Sequence, residues 1–108
     1  MRAKKTPQSV FCERLRAMRE AAGLSQKGLG ILAGLDRFVA SARINRYEQG
    51  LHEPDTTMAS RLAAVLGVPL AYLYAEDDRL ARVIVAFAAL SRREQDRLLK
   101  EIENAAGK

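Results

Sequence analysis

LSQKGLGILAGLDRFVASARINRYEQG, residues 24–50, is the stretch whose reading decides the fold. It reads as two short helices set at an angle. Ser25 carries a hydroxyl suited to capping a helix start, while Gly34 and Gly50 suit helix stops because glycine enters the left-handed region without strain. Before the second stop, Ala40, Ile44 and Tyr47 recur at i, i+4 and i+7, one narrow apolar row along a helix. Arg43, Asn45 and Arg46 turn away from that row. A helix buried along so narrow a stripe, with Ser, Arg and Asn on its open side, suits a polar and anionic partner, and double-stranded DNA is the partner expected.

The first helix of the pair, from residue 26 to residue 33 or 35, contains Gly28 and Gly30. Each costs about 1 kcal/mol relative to alanine inside a helix. Close approach of a neighbouring helix would account for Gly30. No feature of the sequence accounts for Gly28.

Working outward, residues 1–8 read as a flexible basic arm, since Arg2, Lys4 and Lys5 come with no apolar periodicity. Gln8 or Ser9 then opens a helix with Val10 or Phe11, Leu15, Met18 and Ala22 at helical spacing and Gly23 past its end. On the other side, Pro54 interrupts the chain and Asp55 or Thr56 caps a helix carrying Met58, Leu62, Ala63 and Leu66 up to Gly67. Pro69 sits at the first turn of a short helix reaching Ala75, with Leu70 and Leu73 inward. Glu76-Asp77-Asp78 reads as capping, because carboxylates favour a helix N-terminus and Asp77 or Asp78 precedes the apolar run that begins near Arg79. Leu80, Val83, Ile84, Phe87 and Leu90 make that helix apolar around most of its circumference, which requires cover on more than one side. Ser91-Arg92-Arg93-Glu94 has capping-box spacing and opens a last helix with Leu98, Leu99 and Ile102 in one stripe. Residues 76–108 are therefore expected to form a helical hairpin. A chain of this size has one small core to offer, so Leu80, Val83, Ile84, Phe87 and Leu90 are expected to meet a second subunit or a protein partner.

Composition sets the limits of function. At 108 residues, with 48% apolar and 29% charged residues, the chain has enough material for one folded core without staples. Cys12 is the single cysteine and His52 the single histidine, so neither a disulfide nor a cysteine or histidine metal cluster can be assembled. No metal and no cofactor are expected. No nucleophile–base set or phosphate loop is visible either, so an enzyme is not expected. The apolar runs are far too short for a membrane span and no export signal follows the basic start, in keeping with a cytoplasmic location. Charge is unevenly placed: residues 1–50 carry ten Lys and Arg against four Asp and Glu, and residues 51–108 eight against nine. The whole surplus behind the net charge of +5 lies in the half with the helix pair.

Arg14-Leu15-Arg16-Ala17-Met18-Arg19, Gly23-Leu24-Ser25-Gln26, Ile44-Asn45-Arg46-Tyr47-Glu48-Gln49-Gly50, Pro54, and Leu62-Ala63-Ala64-Val65-Leu66-Gly67-Val68 together resemble the phage Cro and repressor (XRE-type) helix-turn-helix family of transcriptional regulators. The resemblance spans roughly residues 9–75. It implies an all-α fold, a five-helix repressor-like domain followed by the C-terminal two-helix hairpin, with the third helix in the major groove. It further implies that Gln26 contacts a phosphate and supports the reading helix, and that Ser41, Ala42, Asn45 and Arg46 lie on the DNA-facing side with Arg43 beside them. Arg37, in the stretch before the helix, is added to the expected DNA contacts. Arg46 or Arg43 suits guanine, and Asn45 suits adenine or a phosphate. Arg19 and Glu48 match a family ion pair tying helix 1 to helix 3.

The chain departs from the family between Gly34 and Gly50, which lie about four residues further apart than usual, with the excess in Asp36-Arg37-Phe38-Val39-Ala40. Either helix 3 starts at Asp36, or residues 36–39 form an enlarged turn with Ser41 near the helix start and Phe38 packed inward. The second is expected. Ile31 and Leu32 are apolar where the family has charged residues, and the C-terminal hairpin or a partner subunit is expected to cover them. The function expected is a dimeric repressor reading a palindromic operator. The alternative is an antitoxin-type interaction protein whose hairpin holds a protein partner while the helix-turn-helix regulates its own operon.

Overall fold

The computed structural model describes residues 5–107, and these form α1 (Pro7–Ala21), α2 (Gln26–Leu32), α3 (Ala40–Gln49), α4 (Thr56–Leu66), α5 (Leu70–Tyr74), α6 (Asp78–Ala88) and α7 (Arg92–Ala105). The described residues contain no strand. The start of α1 corrects the expected arm. Thr6 caps it by accepting from Ser9 N at 3.1 Å while Ser9 Oγ accepts from Thr6 N at 3.0 Å, and Pro7 occupies a position whose N–H would go unpaired anyway. Pro7 and Gln8 therefore belong to the helix. Of the arm's cations, Lys5 pairs with Asp78 at 3.2 Å, and Arg2 and Lys4 lie outside the described residues.

Helices α1 to α5 enclose one core of Phe11, Leu15, Leu29, Ile44, Tyr47, Ala59, Leu62 and Leu73. Its closest seam is between α2 and α3. A Cβ on Gly30 would stand 2.7 Å from the Cβ of Ala40, so only glycine lets these two backbones meet. At Gly28, a Cβ would press on Ser25 Oγ at 3.1 Å, the atom that caps α2 by accepting from Gly28 N at 2.9 Å.

Between the two helices the chain makes the enlarged turn. Asp36 organises it: Oδ1 accepts from Phe38 N at 2.7 Å, and its carbonyl accepts from Val39 N at 3.0 Å and Ala40 N at 2.9 Å. α3 accordingly starts at Ala40, one residue before the expected Ser41. The inward packing expected of Phe38 is corrected, since its side chain is 86% exposed. The turn, with the Phe38 N–H tied to Asp36 Oδ1, carries the ring on its solvent side.

The hairpin is open. Asp77 caps α6 and Ser91 with Glu94 boxes the start of α7, yet the two helices meet at their corner, where Gln95 Nε2 donates to Phe87 O at 2.8 Å, and α7 buries no residue. The radius of gyration is 15.8 Å, against about 13 Å for a compact chain of this length. This geometry corrects the expectation that the hairpin covers Ile31 and Leu32. Both stand exposed, at 45% and 61%, and α6 docks against α5 instead.

Candidate nucleic-acid interface

The open face of α3 follows from its buried one. Ala40, Ile44 and Tyr47 face the core, so Ser41, Ala42, Asn45 and Arg46 face solvent and Arg43 lies half-buried at the edge. Arg37 is exposed in the preceding turn, its guanidinium 5.5 Å from the centre of the Phe38 ring. The exposed face thus brings together six of the seven residues expected to contact DNA.

The seventh, Gln26, stands at the start of α2 and reaches into α3. Its Nε2 donates to Asn45 Oδ1 at 3.2 Å and to Glu48 Oε1 at 3.1 Å. Glu48 is the hub of this arrangement. Arg19 Nε donates to its Oε2 at 2.6 Å and Arg19 Nη2 to its Oε1 at 3.1 Å, a fork that binds α1 to α3. The hydrogen bond to Glu48 raises the Arg19 pKa, so the guanidinium holds its charge. One carboxylate therefore sets the roll of α3 and, through Gln26, the position of Asn45.

Two residues take positions the sequence does not assign. Phe38, expected inward, is the first. The second is Arg14, which donates to Tyr72 O at 2.9 Å, to Ala75 O, and to Asp78 Oδ1 at 2.8 Å, clasping the end of α5 and the start of α6. A signal was present in the spacing: Arg14 falls three residues after Phe11 and next to Leu15, both buried, which places it at the edge of the buried face. Hydrogen bonding and charge from Lys5, followed by the Arg14 hydrogen bond, hold the Asp78 carboxyl below its usual value. Asp78 is thus an ion-pair partner as well as part of the first turn, and Asp77 alone is the cap.

His52 lies against Tyr47, with ring centroids 5.7 Å apart, and lines a shallow recess with Arg43 and Arg61. Burial pushes the Cys12 thiol up, against any role as a reactive thiolate. Among the described residues no helix is long and apolar enough to cross a membrane.

The sequence profile of the family described as "Helix-turn-helix domain" matches residues 11–73. The chain belongs to the helix-turn-helix domain family. Its helix-turn-helix unit is the α2–α3 pair, with α1, α4 and α5 as the scaffold that holds it. A crystal structure of the transcriptional regulator BswR is similar to this helix-turn-helix protein, with 45% identity, 86% of this chain and 92% of that chain covered, and a TM-score of 0.77. Coverage that wide must take in part of residues 74–108, so the likeness extends beyond the helix-turn-helix span. No curated protein matches the chain by sequence.

Proposed function

We propose that this helix-turn-helix protein is a sequence-specific regulator of transcription, a repressor of the phage Cro and repressor type that binds double-stranded DNA as a homodimer. The observation that carries the reading is the Arg19–Glu48–Gln26 brace. It holds one face of α3, with Ser41, Ala42, Asn45 and Arg46, rigid and open beside the excess of positive charge. Pre-set side chains lose little freedom on binding, which favours base readout over loose attachment. The printed description of BswR as a transcriptional regulator supports the same reading.

In this reading α3 lies in the major groove, Arg46 donates in a fork to guanine, and Asn45, oriented by Gln26, meets adenine or a phosphate. Gln26 and Arg43 approach phosphates at the groove edge, and Arg37 follows the backbone from the turn. The homodimer forms through α6 and α7, where Leu80, Val83, Leu99 and Ile102 are exposed and Ile84, Phe87 and Leu90 are half-buried within one chain. A two-fold pair places two reading helices on half-sites about 34 Å apart, and the operator is palindromic.

Selection of bound duplexes from a random pool, with the mass of the free protein measured by sedimentation, tests this. A recovered palindrome, a dimer mass, and binding that weakens steeply with salt are expected. Uniform affinity for every sequence at low salt would refute it, and a monomer at micromolar concentration would refute the homodimer.

A further inference from the structure

Phe38 is 86% exposed, and the DNA contacts assigned above give it no part. Its position is not loose. The Asp36 side chain accepts from its N–H, and the Asp36 carbonyl accepts from the next two N–H groups, so the ring is held outward by a defined turn. That turn ends at Ala40, the first residue of α3, which is the end of a reading helix that meets base edges when it enters the major groove.

The surroundings select the partner. Phe38, Val39 and Ala42 line one shallow recess together with Arg43 and Arg46. The Arg37 guanidinium lies over the ring, 5.5 Å from its centre. The one carboxylate of the turn, Asp36, accepts from the Phe38 N–H. Apolar side chains set among arginines suit an apolar group displayed within a dense anionic frame. The major groove offers one such group, the 5-methyl of thymine between two rows of phosphates.

Resting on the DNA-binding reading, we propose that Phe38 is a base-reading residue whose ring, backed by Val39 and Ala42, packs on a thymine methyl in each half-site, beside the base read by Arg46. The enlarged turn then has a purpose. It adds to the reading helix an apolar contact that a tighter turn would not project.

Deoxyuridine tests this, because replacing thymine by deoxyuridine removes the methyl and leaves every hydrogen-bonding group in place. In the duplex selected from the random pool, each thymine of one half-site is replaced in turn and binding by the full-length protein is measured. At one position the wild-type protein should lose roughly fourfold in Kd, the worth of one buried methyl. Phe38→Ala should bind the thymine duplex more weakly and show no further loss with deoxyuridine at that position, while keeping the wild-type melting temperature. Arg46→Ala should still respond to the deoxyuridine. If every deoxyuridine is neutral to the wild-type protein, or the two losses multiply, the assignment is wrong. A change in sedimenting mass with Phe38→Ala, without coupling to any thymine, would make Phe38 a protein contact and also overturn it. Failure to select any sequence at all would defeat the DNA-binding reading itself, a result distinct from the others.

Discussion

Replacing Arg19 by Met removes a guanidinium whose side chain is 13% exposed and leaves Glu48, 2% exposed, without its cation. The carboxylate loses both arms of the fork, at 2.6 and 3.1 Å, and the Leu24 carbonyl loses the Arg19 Nη1 donor at 3.0 Å. Stranding a buried charge in this way costs about 3–5 kcal/mol. Gln26 Nε2 remains as a donor to Glu48 at 3.1 Å, which places the expected loss at the lower end, about 3 kcal/mol. Glu48→Gln strands the arginine instead. That guanidinium sits nearer the rim and can turn to water, so about 1–2 kcal/mol is expected. The double variant should lose less than the two single losses added together, because each single change already breaks the same fork. Urea unfolding reads this directly as shifts in midpoint at constant slope. A loss under about 1 kcal/mol for Arg19→Met, or strict additivity, would show that the brace is not what binds α1 to α3.

Gly30→Ala gains up to about 1 kcal/mol of helix propensity but drives a methyl into Ala40, so a net loss of about 1–2 kcal/mol is expected by urea unfolding. A stabilised variant would mean that α2 and α3 approach less closely. Arg46→Ala should lose about 1–3 kcal/mol of discrimination at one base pair, seen as a flattened preference there when operator variants are titrated. Equal weakening on all sequences would assign Arg46 to a phosphate instead. The Asp78 carboxyl has a folded-state pKa below its ordinary 3.8, so its contribution is complete above that value and disappears as the pH falls through the lower folded-state value. Melting curves of wild type and Asp78→Asn should therefore differ near neutral pH and converge in acid. A gap that persists in acid would trace the effect of Asp78 to something other than its charge.

What sequence alone determined here was local. Ser25, Asp55, Asp77 and Ser91 with Glu94 cap the helices where short-range chemistry places them, and Gly50 and Gly67 end α3 and α4 in the left-handed region. The Ala40, Ile44 and Tyr47 row settled which face of α3 is buried, and hence which residues are left outside, because the helical period is the same in any fold. The Thr6–Ser9 box is equally local. Tertiary structure decided the rest. Whether Phe38 packs or protrudes depends on the course of the turn between two packed helices, and the spacing of apolar residues along the chain does not encode it. The role of Arg14 depends on carbonyls 58 and 61 residues away that arrive beside it only in the folded protein. That α6 docks on α5, and that Ile31 and Leu32 are left exposed, is likewise visible only in the folded chain. An amphipathic stripe says that a helix must be covered, but what covers it is set by the positions of elements far away in sequence.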